Sequence, residues 1–278
     1  MKYELLVLDI DGTVTNSQKE VLPETREAVR RIQKAGIKVV LASGRPPEGV
    51  FPIARELGFE KYESYILSFN GGKILDVRTG ECIFEKVLPG YLPGRLWEDA
   101  VRNQVGIAIY QPGKIIAGTM PDTYLKMESK IMGMPLEYCE NFRNRASLPV
   151  NECLITGEPD VLENLEPVFS HKYFHEAQVF HSEPWYLEVT PKNVDKAYGL
   201  KYLLKRLGIE RERMVCCGDS FNDIAMICHA GLGVAMANAP DAVQMVADYV
   251  TKKDNNHNGI KEVIERFFPG LYVTVQRI

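Results

Sequence analysis

Glu4-Leu5-Leu6-Val7-Leu8-Asp9-Ile10-Asp11-Gly12-Thr13-Val14-Thr15 is the stretch on which the reading of the fold turns. Residues 4–10 form a near-continuous apolar run, the pattern of a strand buried on both faces of a parallel sheet. Asp9 and Asp11 close it. Lying two residues apart, they share one face in extended geometry, and Gly12 relaxes the turn that follows. Taken alone, Asp-x-Asp-Gly is ordinary turn chemistry. A calcium loop opening at Asp9 would have Glu20 as its last ligand, but the acidic pattern at its third and fifth positions is incomplete, and a strand precedes it where a helix is needed.

Outward from this segment, strand and helix alternate. Pro23 opens a helix pattern carrying Ala28, Val29, Ile32 and Ala35, with Gly36 just past its end. Residues 37–42 read as a second buried strand and 48–57 as a helix. Strands at 65–69 and 73–77 flank the tight turn Asn70-Gly71-Gly72. Alternation returns near the other end. Asp195 caps a helix with a Leu200, Leu203, Leu204, Leu207 stripe. Strands at 214–218, 231–236 and 248–251 are interleaved with helices at 222–229, after Asn238-Ala239-Pro240, and at 259–268.

The middle differs. Residues 88–97, rich in Pro and Gly, read as a linker leading into a helix. VGIAIY and KIIAG form a hairpin around Gln-Pro-Gly; further strands fall at 151–157, 177–182 and 185–190, and helices near 121–132 and 158–169. The fold class is therefore α/β: a parallel-sheet core, residues 1–82 and 190–278, interrupted by an inserted α+β domain, residues 83–189. The final segment 269–278, PGLYVTVQRI, reads as an extra strand or as a contact with another chain, so a homo-oligomer stays open.

Composition narrows the function classes. Of 278 residues, 45% are hydrophobic and 25% charged, so the chain is not a disordered one. A net charge of −4 provides no broad basic field for nucleic acid or an anionic membrane surface. No apolar run reaches the ~18 residues of a membrane span, and MKYELLVLDIDG lacks the longer apolar core of a secretory signal. Cys82, Cys139, Cys153, Cys216, Cys217 and Cys228 show neither zinc nor redox spacing; they read as buried, reduced thiols. The expected location is cytoplasmic.

In open parallel sheets, ligands gather at the carboxyl ends of the strands. The polar residues there are Asp9 and Asp11, Ser43-Gly44-Arg45, and Gly218-Asp219-Ser220-Phe221-Asn222-Asp223, with Lys196 opening the helix before the last of these strands. Singly, Ser43-Gly44 is a helix N-cap and Lys196 a solvated helix-end lysine. Jointly they supply four carboxylates, a hydroxyl and an ammonium. Four carboxylates in one pocket repel unless a cation compensates, and all-oxygen ligation with retained water suits Mg²⁺. Ser43 and Lys196 add donors for phosphate oxygens. This inventory fits phosphoryl transfer better than glycoside hydrolysis, which needs two carboxylates but neither metal nor lysine. One aspartate can attack phosphorus while the other protonates the leaving oxygen and then activates water.

In this order, the four segments and the Asn70-Gly71 turn resemble the haloacid dehalogenase superfamily, and more closely its Cof-like phosphatases. The resemblance spans the whole layout; Ser43 stands where threonine is frequent, with the hydroxyl kept. It implies a Rossmann-like core, an α/β cap formed by the insertion, and Mg²⁺-dependent hydrolysis of a small phosphorylated metabolite such as a sugar phosphate. It assigns Asp9 as nucleophile and Asp11 as general acid/base. Ser43, Gly44, Lys196 and Asn222 would serve the phosphoryl group. Asp9, the Asp11 carbonyl and Asp219 would ligate Mg²⁺, and Asp223 would hold its waters. Arg143, Arg145, Asn151, Glu152, His181 and Trp185 are the cap candidates for substrate choice. A phosphosugar mutase and a non-catalytic phospho-ligand-binding module are the alternatives.

Overall fold

The structure, a computed structural model, describes residues 2–145 and 148–271. The chain opens with strand β1 (Leu5–Leu8), helix α1 (Pro23–Lys34), β2 (Lys38–Ala42) and α2 (Pro47–Glu56), followed by β3 (Ser64–Ser68), β4 (Lys73–Asp76) and β5 (Cys82–Glu85). Its middle holds α3 (Leu92–Arg102), β6 (Gly106–Gln111), β7 (Lys114–Ala117), α4 (Thr123–Met132), β8 (Leu136–Tyr138) and α5 (Phe142–Arg145). Then come β9 (Cys153–Thr156), α6 (Pro159–Lys172), β10 (Ala177–Glu183) and β11 (Tyr186–Pro191). The last part contains α7 (Lys196–Leu207), β12 (Met214–Gly218), α8 (Ile224–His229), β13 (Leu232–Ala235), α9 (Asp241–Gln244), β14 (Tyr249–Val250) and α10 (Gly259–Phe267).

The chain divides into two compact units. Unit 1 comprises residues 1–44, 50–84 and 195–278; unit 2 comprises 45–49 and 85–194. Unit 1 is built on an eight-stranded sheet of order β14-β13-β12-β1-β2-β3-β4-β5. From β14 to β3 all neighbours run parallel; β4 returns antiparallel. Alternate residues of β1 serve opposite layers. Leu6 and Leu8 pack with Val29 and Ile32 of α1 and Val263 of α10, while Leu5 and Val7 pack with Leu200 and Leu203 of α7. Both faces are covered, which is why the sequence there is apolar without alternation. Unit 2 has a six-stranded sheet of order β10-β11-β9-β6-β7-β8, antiparallel except for the β7–β8 pair. The α/β class read from the sequence holds.

Several readings are corrected. Residues 88–97 are not all linker: α3 begins at Leu92, with Pro93 in its first turn, where a missing N–H costs nothing. The short strands β5 and β8 and the single-turn α5 had no sequence reading. Six reduced thiols were expected to be buried, and Cys153, Cys216 and Cys217 are, but Cys82 and Cys228 are exposed. The alternating tail from Tyr272 onward lies outside the described residues. Among the described residues no helix is long and apolar enough to cross a membrane.

Candidate active site

β1 lies at the point where chain order reverses, with β2 on one side and β12 on the other. At such a switch point the loops leave the strand ends in opposite directions and open a crevice between them. Asp9 sits just beyond β1, where its N–H donates to the Cys217 carbonyl at 3.0 Å. Asp219 follows β12 directly. Three aspartates meet here: one carboxylate oxygen from each of Asp9, Asp219 and Asp223 lies within 4.8 Å of the others.

Lys196 supplies the counter-charge. Asp195 caps α7 through its carboxylate, which accepts from the Tyr198 N–H at 2.7 Å, and so fixes where the helix starts. The first helical residue, Lys196, is fully buried, unlike a solvated helix-end lysine. Its ammonium donates to Asp9 Oδ1 and to Asp223 Oδ1, both at 2.6 Å. Asp223 Oδ2 accepts from the backbone N–H groups of Asp219 and Ser220, each at 2.9 Å, which locks the loop after β12. Asp219 accepts from the Thr13 hydroxyl at 2.7 Å.

Burial, and then the neighbouring Asp223, lift the Asp9 carboxyl well above the usual range, with Lys196 pulling it back. Burial also raises Asp219, to about 6, against the Thr13 hydrogen bond. Burial alone would weaken Lys196 as a base, but Asp223 and Asp9 outweigh it and hold the ammonium more firmly than usual. Asp9 and the half-buried Asp219 therefore resist ionising together, although one ammonium already lies between the group's members. A divalent cation ligated by oxygen would remove that resistance, so the donor set fits a hard divalent metal.

The remaining predicted residues form an adjoining layer. Ser43 lies just beyond β2 and is buried; its N–H donates to the Leu67 carbonyl at 2.8 Å, and its carbonyl accepts from the Asn70 N–H at 3.0 Å. The Asn222 amide donates to Asn70 Oδ1 at 3.0 Å, so the Asn70 turn ties the Ser43 segment to the Asn222 loop. Gly44 packs against the same Asn70 amide. Gly71, at φ +99°, lies so near α7 that a Cβ would press on the Asp195 carbonyl carbon at 2.8 Å. Asp11 stands apart: its carboxylate is outside the three-acid group and accepts from Lys19 Nζ at 2.7 Å, in a pair exposed to solvent.

Asn238 was missed as a site residue. Its amide donates to the Gly12 carbonyl at 2.9 Å and to Asp219 Oδ2 at 3.3 Å, bracing both loops. Sequence reasoning took it for a helix start. A signal was present, because it follows β13 at the carboxyl end of the same parallel sheet. Gly12, at φ +84°, is required at its place: a Cβ would meet Asp219 Cγ at 2.7 Å. Among the insertion candidates, Asn151 donates to the Lys86 carbonyl at 3.0 Å, Arg143 pairs with Glu98, and Glu152 is buried.

An acid triad and a buried lysine at the switch point of a parallel sheet define a hydrolase of the phosphoryl-transfer kind. A model of haloacid dehalogenase-like hydrolases matches residues 6–264, and the chain belongs to that family, among its Cof-like phosphatases. A haloacid dehalogenase-like hydrolase from Bacteroides thetaiotaomicron is 41% identical with a TM-score of 0.92, over 96% of this chain and 100% of that one. The 5-amino-6-(5-phospho-D-ribitylamino)uracil phosphatase YcsE of Bacillus subtilis is 29% identical over 264 residues, 95% of each chain. Phosphatase YwpJ of the same organism is 28% identical over 277 residues, 91% of this chain and 96% of its own.

Proposed function

We propose that the chain is a Mg²⁺-dependent phosphomonoester hydrolase that turns over a small phosphorylated metabolite, a sugar phosphate in the first instance, through an aspartyl-phosphate on Asp9. The observation that carries this reading is Lys196, fully buried and held between Asp9 and Asp223 at 2.6 Å from each. A buried ammonium shared by two carboxylates orients Asp9 and keeps negative charge welcome in the crevice.

Asp9, the Asp11 carbonyl and Asp219 would hold Mg²⁺, with Asp223 holding its waters; when bound, the cation supplies charge neutralisation for the phosphoryl oxygens. An Asp9 carboxylate oxygen attacks phosphorus, forming the O–P bond of an acyl phosphate while the ester O–P bond breaks. Asp11 donates its proton to the departing alkoxide. It then takes a proton from water, whose oxygen attacks phosphorus, frees phosphate and regenerates the Asp9 carboxylate. The Lys19 pair with Asp11 is an exposed one, worth about 0–1 kcal/mol, so Asp11 exchanges it readily for the leaving group. The Ser43 hydroxyl, the Asn222 amide and the Lys196 ammonium donate to the transferring oxygens.

Residues 1–82 and 190–278 form the catalytic core in this reading, and 83–189 the cap that chooses substrate. Asp9→Asn is expected to remain folded while turnover of an aryl phosphate drops by about a thousandfold or more. Substantial turnover in the purified variant removes Asp9 from the role of nucleophile. Following free phosphate against isomer formation from a hexose phosphate separates hydrolysis from mutase chemistry.

A further inference from the structure

The loop that carries Asp11 is held from within and from outside. Within it, Thr15 is fully buried, and its N–H and its hydroxyl both donate to the Ile10 carbonyl at 2.9 Å. Ile10 is the residue between Asp9 and Asp11. Further along, Asn16 Oδ1 accepts from the Gln18 and Glu20 N–H groups and closes the turn that brings Lys19 to Asp11. That exposed ion pair fixes the Asp11 carboxylate only weakly, so the backbone beneath it has to set its aim.

The outer hold comes from residues 254–258, Asp-Asn-Asn-His-Asn, which follow β14. The Asn255 side-chain amide, buried, donates to the Thr15 carbonyl at 2.9 Å. Asn256 Oδ1 accepts from the Ser17 N–H at 3.0 Å, and its own amide donates to Asn255 Oδ1 at 3.3 Å. Asn258 Oδ1 accepts from the Thr25 hydroxyl at 3.1 Å, in the first turn of α1. This clasp is itself anchored. The Thr251 hydroxyl donates to the Lys253 carbonyl, and the Glu262 carboxylate of α10 accepts from the N–H groups of Lys252 and Lys253. All of these residues belong to unit 1. Hydrogen bonds thus run in line from Asn255 to the Thr15 carbonyl, and from Thr15 to the Ile10 carbonyl, one peptide before Asp11.

We infer that Asn255, assisted by Asn256, is a positioning residue for Asp11: it fixes the loop from which Asp11 hands a proton to the leaving oxygen. The inference rests on the proton-donor role proposed for Asp11. Misplacing a reacting group by about 1 Å can cost about a hundredfold, and a misplaced acid is felt only where its proton is needed. Asn255 also meets Asn238, whose Oδ1 accepts from the Asn255 N–H at 3.2 Å. That contact is made by the main chain and survives Asn255→Ala.

Two esters of nearly the same shape, phenyl phosphate and 4-nitrophenyl phosphate, test this. Phenolate, like tyrosinate, is a strong base that needs a proton to depart; 4-nitrophenolate departs without one. With Mg²⁺ present, Asp11→Asn should cut kcat/KM for phenyl phosphate by about a hundredfold relative to 4-nitrophenyl phosphate. Asn255→Ala should move the same ratio in the same direction by about tenfold. Asn256→Ala, at an exposed position, should move it by about threefold and provides a second route if Asn255→Ala fails to fold. If Asp11→Asn moves the ratio while the folded asparagine variants lose activity equally with both esters, or lose none, the positioning role is overturned. If Asp11→Asn leaves the ratio unchanged, or the wild-type protein cleaves neither ester, the role of Asp11 is what fails, and that of Asn255 falls with it.

Discussion

Lys196 is the residue on which the site's charge depends. Replacing it with methionine keeps bulk but leaves Asp9 and Asp223 buried with no ammonium between them. Breaking a buried ion pair by removing one partner costs about 3–5 kcal/mol. The sign with pH follows from the acids. Without Lys196, burial and the neighbouring Asp223 push the Asp9 carboxyl up unopposed, so the deficit is full where Asp9 must ionise and fades as pH falls and it takes up a proton. Lys196→Met is therefore expected to lower the unfolding midpoint strongly at about pH 8 and much less at about pH 5. A thermal melt at the two values checks it. A uniform drop would mean that lost packing, not unbalanced charge, is the cause. The sequence offered Lys196 as a helix-start lysine that adds a phosphate donor, but not its contact with Asp9, 187 residues back, which is a property of the folded sheet.

At the scale of elements, what was legible followed burial. β1, β2, β3 and β12 are fully or almost fully buried, and each could be read as an apolar run. β5 and β8 each lie at an edge of their own sheet and hold no buried residue, so neither alternation nor an apolar run marks them. α3 was misjudged because proline and glycine, read as loop residues, occupy a first turn that tolerates both. The loops after β1, β12 and β13 are where the elements act together. Asn238, after β13, holds the Gly12 carbonyl and Asp219. Asn238→Ala should leave the fold intact and weaken activation by Mg²⁺ by about ten- to a hundredfold, the usual effect of losing a group that orients a metal-binding carboxylate. Activity measured against Mg²⁺ concentration reads this directly; an unchanged midpoint would make Asn238 a spectator.

The whole molecule carries the titration of its acids as global stability. Asp219 is raised by burial from 3.8 to about 6. A carboxyl raised on folding stabilises the folded state at low pH, and this contribution is lost as pH rises through about 6. A cation bound among the acids acts in the opposite sense, since it binds their ionised form. Added Mg²⁺ is expected to lift the unfolding midpoint clearly at about pH 8 and hardly at about pH 5. Equal shifts at both would place the cation elsewhere. The division into a sheet core and an insertion could be read from the return of strand–helix alternation after residue 190. The placing of Tyr110 and Thr190 on either side of Glu152 could not, because it arises from register between strands far apart in sequence.

Chain order gives the buried lysine one more consequence. As the polypeptide leaves the ribosome, Asp9 emerges early, while its ammonium partner and the two later aspartates follow only after the whole of unit 2. Strand β1 has β2 beside it at that stage, but the place of β12 is still vacant. The acid group and its ammonium thus cannot assemble until more than two hundred residues have been translated. Assembly of this group and completion of the central sheet arrive together.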